Sequence, residues 1–210
     1  MGKHPQLSET GKGKITLVIL GRSGSGKGTQ AKFILQRLGK TGHHLETGRF
    51  IRGLIATYSN PTITRLDKVL KAGKLSPPWV AAFSWFRELI QGGKAAHHLV
   101  FDGTPRTCWE AECLDAVMEW HGRALPLCIY IDVSEQEAAK RLLVRGRGDD
   151  RKVAIRNRMK FFTKDVIPVT QYYRKQNRLL HINGNQSTEE VWSQIDKTLT
   201  KRFAKKWPTR

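Results

Sequence analysis

The chain has 210 residues, enough to bury one good core with a small excursion from it, so one main domain is the starting expectation. Thirty-seven lysines and arginines against 18 acids give a formal charge of +19, which points to anionic partners, nucleotides or nucleic acid, although a basic surface also serves solubility alone. The longest early apolar run, residues 15–20, is too short for a membrane span or a signal-peptide core, and Cys108, Cys113 and Cys128 form no CxxC pair, which argues against a disulfide framework and against structural zinc.

In chain order, MGKHPQ begins like a myristoylation signal but has Gln6 where a hydroxyl residue is wanted. Residues 1–13 are polar and glycine-rich and read as a flexible arm. ITLVIL then reads as a buried strand, GRSGSGKG as a loop, and TQAKFILQRLGK as an amphipathic helix ending at Gly39 or Gly42. Further apolar runs lie in HHLVFDG (97–103), PLCIYIDV (126–133) and RLLHING (178–184), with helical patterns between them. Ser134 followed by Glu137 predicts a capping box and a helix running to Gly146, with Arg141 and Arg145 on one face. A second helix, from about Val153, carries Arg158, and residues 201–210, KRFAKKWPTR, read as a basic tail. Strands alternating with helices imply an α/β fold with a parallel, five-stranded sheet between two helical layers.

Gly21 to Lys27, GRSGSGK, fits the GxxxxGK phosphate loop in its required setting, directly after a strand and before a helix. Glycines let backbone N–H groups converge on phosphate oxygens, the helix N-terminus adds its positive end, and Lys27 reaches the transferring phosphate. The bland alternative, a glycine-rich turn that binds nothing, does not account for the strand, lysine and helix together. RLLVRGRGDD (141–150) sets Arg141, Arg145 and Arg147 beside Asp149 and Asp150. Taken alone it could be a solvated charged turn. Downstream of a phosphate loop it reads as an anion grip, because the planar guanidinium fork binds two phosphate oxygens at once.

The loop continues as GKGTQA, with Gly28 where a hydroxyl usually follows the lysine, and in this it resembles the adenylate kinase family of nucleoside monophosphate kinases, here of short-lid type. ETGRFIR (46–52) resembles that family's STGDxxR, GKLSPP (73–78) its GxLVP, FDGTPRT (101–107) its LDGFPRT, RLLVRGRGDD with Arg158 its arginine-rich lid region, and PVTQYYRK its PVxxYY element. The resemblance runs from about Lys14 to Ile195 and implies a P-loop NTPase-type α/β/α core over residues 14–200, an NMP-binding segment at 46–76 and a short lid at 144–150. It implies that Gly24, Ser25, Gly26, Lys27, Gly28, Thr29, Arg141 and Gln186 bind ATP. Thr47, Arg52, Leu75, Ser76, Gly103, Arg106, Glu110, Arg147 and Arg158 would bind the monophosphate. Lys27, Arg106, Arg141, Arg145, Arg147 and Arg158 would be catalytic, Asp102 and Thr29 would hold magnesium through water, and Asp149 and Asp150 would latch the lid. The implied activity is reversible phosphoryl transfer from ATP-Mg²⁺ to a nucleoside monophosphate, most simply AMP, by a cytoplasmic monomer without zinc.

The chain departs from the family pattern at several places. Only Gly146 separates Arg145 from Arg147, a lid so short that ATP hydrolysis without acceptor becomes a possibility. Glu110 stands where a glutamine reads adenine; a carboxylate only accepts hydrogen bonds, so guanine or cytosine would suit it as well, unless it points to solvent. Arg49, Ser23 and Thr104 replace an acid, a proline and an aromatic. Trp79, Trp85 and Trp109 could stack on a base, with core packing the expected role, and His43, His44, His97 and His98 are expected to be satisfied or solvated. The rival functions are a CMP, UMP or GMP kinase of the same fold, a small-metabolite kinase, which Thr47, Arg52 and Arg106 speak against, and a basic nucleic-acid-associated protein that keeps the loop as a nucleotide sensor.

Overall fold

The computed structural model describes residues 13–91, 97–146 and 150–208; Arg147, Asp149 and the arm before Gly13 lie outside the described residues. Five strands form one parallel sheet in the order β2-β3-β1-β4-β5: β1 (Thr16–Leu20), β2 (Gly42–Glu46), β3 (His98–Asp102), β4 (Leu127–Asp132) and β5 (Leu179–Asn183). Every residue of β1 and β3 is buried, as expected of strands covered on both faces. The strand period of two sorts them. Leu17 and Ile19 join one apolar cluster with Ile129, Ile131 and helices α1 (Lys27–Leu38) and α9 (Thr188–Phe203). Val18 and Leu20 join the other, with Leu99, Phe101 and Tyr130. That second cluster is closed by α4 (Pro78–Ile90), α5 (Cys108–Trp120) and α8 (Ile167–Lys175). The result is the expected α/β/α layering.

Four strands coincide with the apolar runs of the sequence. The fifth, β2, carries GHHLE, of which only Leu45 is buried. It is an edge strand, so its outer side chains need not be apolar, and His43 meets Glu88 at 3.2 Å instead. His98 is a satisfied core histidine: its Nδ1 accepts the Ile15 N–H at 2.9 Å, and burial pushes its pKa down to about 4.

The excursion after β2 is helical. Helices α2 (Thr47–Thr57) and α3 (Pro61–Lys71) return to α4 around a small core of their own, Ile51, Leu66 and Val80. Helix α3 starts where Asn60 caps Ile63 N–H at 3.0 Å and Pro61 takes the first turn. The loop after α3 lies hard against α7 (Lys152–Phe161). A Cβ on Gly73 (φ +66°) would sit 2.3 Å from the Ala154 carbonyl, and Asn157 donates to Ala72 O at 2.8 Å.

Helix α6 (Glu135–Arg145) begins at Ser134, whose hydroxyl accepts Glu137 N–H, and ends at left-handed Gly146, as its sequence predicts. Glu137 does not close the capping box, because its carboxylate holds Arg141 Nε at 2.8 Å. Helix α7 continues through a π-helical turn, Phe162–Val166, directly into α8. Two expectations are corrected. The basic tail is not separate: residues 201–203 complete α9, and Trp207 is 1% exposed, donating Nε1 to Asp196 Oδ1 at 2.9 Å. Of the three tryptophans expected in the core only Trp85 is there; Trp79 and Trp109 are 59% and 51% exposed because they fall on the outer faces of α4 and α5. Among the described residues no helix is long and apolar enough to cross a membrane.

Candidate active site

The loop between β1 and α1 wraps tightly enough to demand its glycines. At Gly24 (φ +88°) a Cβ would come within 2.5 Å of the Ala138 carbonyl on α6. Lys27 opens α1, and its ammonium donates to the carbonyls of Gly21 and Arg22, both at 2.8 Å. Burial lowers its pKa from 10.5 to about 8 against the opposing pull of Asp102, with Arg106 and Arg145 adding to the depression. Ser25 Oγ is buried and without a partner among the described residues, an arrangement that suits an incoming phosphate oxygen. Gly28 and Thr29 lie exposed at the start of α1.

Asp102 ends β3 and faces this helix start. Its Oδ2 lies 3.6 Å from where a Cβ of Gly28 would be and 3.8 Å from His44 Nε2. The following turn directs Arg106 back toward the loop: Nε donates to Gly103 O at 2.7 Å, and the guanidinium lies 5.7 Å from the Phe161 ring. Burial and Arg158 lower the Arg106 pKa, while Glu110 and Asp102 oppose the shift. One pocket is lined by Gly21, Ser23 and Lys27 from the phosphate loop, by Gly103 and Arg106 from the opposite turn, and by an apolar wall of Phe161, Phe162 and Val166.

Glu110 does not point to solvent. It is 1% exposed, and its Oε2 accepts from the Thr104 hydroxyl at 2.7 Å and from the Arg106 N–H at 3.1 Å, with Thr107 Oγ1 at 3.4 Å from Oε1. Burial raises its pKa. The Thr104 that replaces an aromatic is thus the donor that the Glu110 carboxylate requires, a coupling invisible while the two substitutions were read separately.

The arginines gather around one carboxylate. Asp150, whose side chain is fully buried, accepts Arg145 Nε at 2.9 Å and Nη2 at 2.8 Å, and Arg158 Nη1 at 2.6 Å. Arg141 stands apart, one turn earlier on α6, donating to Glu137 and to Gly184 O at 3.2 Å, beside the exposed loop that holds Gln186. Arg147 and Asp149 fall outside the described residues.

The residues expected at the acceptor come from two segments, the start of α2 and the loop before α4. Pairing of Glu46 with Asp102 in the sheet register brings Thr47, buried at the start of α2, beside the Gly103 turn. Ser76 is buried and Leu75 half-buried in the loop before α4. Two participants escaped the sequence reading. Glu46 Oε1 receives Arg52 Nη2 at 3.2 Å, so an acid sits beside a predicted phosphate ligand. Arg22, inside the glycine loop, donates to Val133 O at 2.9 Å and lies 4.7 Å from the Phe162 ring, fixing the loop to the π-helical turn.

The family model for adenylate kinase matches residues 19–178. Similar proteins include adenylate kinase 1 of Nostoc sp., 31% identical over 183 residues, which span 87% of this chain and 97% of that protein. The adenylate kinase of Corynebacterium urealyticum is 33% identical over 175 residues, 83% of this chain and 93% of the relative. That of Thermus thermophilus is 32% identical over 183 residues, 85% and 94% respectively.

Proposed function

The chain belongs to the adenylate kinase family, and on that premise we infer that it transfers the terminal phosphoryl group of ATP to AMP, giving two molecules of ADP. It is a nucleoside monophosphate kinase. The observation that carries the residue assignment is the shared pocket: the donor loop, through Lys27, and the acceptor turn, through Arg106, open onto the same small space. Two nucleotides meeting there can react directly.

In this reading a phosphate oxygen of AMP attacks the γ-phosphorus of ATP, the bond to the β-phosphate oxygen breaks, and ADP leaves from each side. The attacking oxygen is already anionic, so no general base is required and catalysis is positioning and charge stabilisation. Residues 24–29 would cradle the donor phosphates, with Lys27 leaving the Gly21 and Arg22 carbonyls for phosphate oxygens. Thr47, Arg52 and Arg106 would hold the acceptor phosphate, with Leu75 and Ser76 against the base. Arg145, Arg158 and Arg147 would neutralise charge on the moving group, Arg141 and Gln186 serving the donor nucleotide. A guanidinium 4 Å from a phosphate charge is worth about 4 kcal/mol at an effective dielectric of 20. Glu110 would serve the acceptor site through the Arg106 backbone, as a positioning residue.

Magnesium arrives with ATP as part of the substrate. The carboxylate of Asp102 beside the helix start and the exposed hydroxyl of Thr29 are hard oxygen donors suited to its water shell, and the ion would offset charge on the phosphates. The wall of Phe161, Phe162 and Val166 would exclude water from the reacting phosphate. We further propose a cytoplasmic monomer, a compartment in which free Cys108, Cys113 and Cys128 remain thiols.

The direct test replaces Lys27 by Met. ADP formation from ATP and AMP should fall by roughly 10³-fold, as when a comparable phosphate-binding cation is removed, with the folded state retained by circular dichroism. Undiminished turnover would refute the assignment.

A further inference from the structure

The rod formed by α7, the π-helical turn and α8 carries a feature that nucleotide chemistry does not use. Between Arg151 and Lys175 the sequence has eight cations and a single acid, Asp165. Arg158 alone of the eight turns inward, toward Asp150; the other seven are exposed. Lys152, Arg156, Lys160 and Lys164 recur every fourth residue. In an α-helix such a row advances about 6 Å per step and drifts about 40° around the axis. The π-helical turn at Phe162–Val166, which takes more residues per turn, offsets that drift, so Lys164 returns to the line of Lys160 and Lys175 continues it on α8. The opposite side of the rod, Ile155, Met159, Phe162, Val166, Val169 and Tyr173, is committed to the core.

We propose that this ridge binds the phosphate backbone of a nucleic acid, an interaction that goes beyond the phosphotransferase reaction and does not rest on it. The spacing suits such a partner. Every nucleotide of a strand carries a phosphate charge, so a row of cations about 6 Å apart can meet a series of them. Of the other exposed residues on the rod, Thr163, Gln171 and Gln176 are hydrogen-bonding groups suited to phosphate and sugar oxygens, and Val153 is the one exposed apolar side chain. A membrane fits less well, because insertion needs a broad exposed apolar face, whereas the rod's apolar side is committed to the core and Val153 is its one exposed apolar residue.

The experiment compares three full-length proteins: wild type, a ridge variant K152Q/R156Q/K160Q/K164Q, and a charge-matched control K32Q/K40Q/K197Q/K201Q altered at exposed lysines of α1, α9 and the turn after α1. Each is titrated with a fluorescent 20-nucleotide single-stranded RNA, with the corresponding duplex DNA and with phosphatidylserine vesicles, over a range of salt. Wild type should bind nucleic acid with steep salt dependence. Loss of four contacts should flatten the log–log slope by about 3 for single-stranded RNA, at about 0.7 per contact, while the control keeps most of the slope and both variants keep the kinase rate. Absence of nucleic-acid binding, equal weakening in the two variants, or binding to vesicles but not to nucleic acid would each overturn the proposal.

Discussion

Arg145 and Arg158 share one oxygen of the buried Asp150 carboxylate, at 2.8 and 2.6 Å, although they come from different helices, α6 and α7. Two guanidinium groups this close repel, and the shared carboxylate of Asp150 offsets part of that repulsion. The phosphates of two nucleotides would offset the remainder. The tightness of the arginine cluster therefore depends on Asp150 when no other anion is present.

Asp150→Asn tests that dependence. An amide keeps the shape but not the charge, removing the carboxylate that both guanidinium groups share. Tm without nucleotide should fall by several degrees, and the rise in Tm on adding saturating ADP should be larger than in wild type, since phosphates then replace the missing charge. Equal increments in the two proteins would show that the cluster is not nucleotide-linked.

Glu46 faces Arg52 at 3.2 Å, where an acceptor phosphate would need the guanidinium for itself. Replacing the acid with serine frees Arg52 and removes a negative charge beside a dianion. A partly exposed pair of this kind is worth on the order of 1 kcal/mol, so KM for AMP should drop by roughly 3- to 10-fold in Glu46→Ser, with kcat little changed. An unchanged KM would place the acceptor phosphate elsewhere.

Lys27 predicts a pH profile. Burial, the largest influence, holds its pKa near 8, so in the free enzyme the ammonium is lost as pH rises through that value. The kcat/KM for ATP, which reports the free enzyme, should decline above about pH 8, while the limb in kcat moves to higher pH because bound phosphates favour the charged form. Lys27→Arg should abolish the limb even at reduced activity. The linked effect on stability has the opposite sense: an unfolded lysine keeps its proton up to 10.5, so between about pH 8 and 10.5 the unfolded state binds more protons and this group makes stability rise with pH.

Trp207 makes a prediction about the C-terminus. It is 1% exposed and bonded to Asp196 on α9. Trp207→Ala should cost about 3 to 5 kcal/mol; at about 2 to 4 °C per kcal/mol for a chain of this size, Tm should fall on the order of 10 °C. A loss below 2 °C would mean that the segment contributes little.

The core of the fold was legible because buried parallel strands such as TLVIL and LCIYI announce themselves by composition, and because the phosphate loop has a spacing few other structures need. Strand β2 was hidden by its two histidines, which an edge position tolerates. Trp207 was hidden by its neighbours: half of KRFAKKWPTR is cationic, and two aromatics, Phe203 and Trp207, among those cations leave no period to read. In the site, single residues were legible and pairings were not. Glu110 and Thr104 each looked like a departure from a pattern, whereas Thr104 donates to the Glu110 carboxylate oxygen that also accepts the Arg106 N–H. Glu46 could be recognised only once Arg52 was seen folding back on it.

The central claim is phosphoryl transfer to AMP. The measurement that tests it most directly is ADP formation from ATP-Mg²⁺ with AMP, dAMP, GMP, CMP or UMP supplied in parallel, alongside a control without acceptor. The account predicts strong preference for AMP over the other acceptors; preference for GMP or CMP, or no transfer to any acceptor, would contradict it.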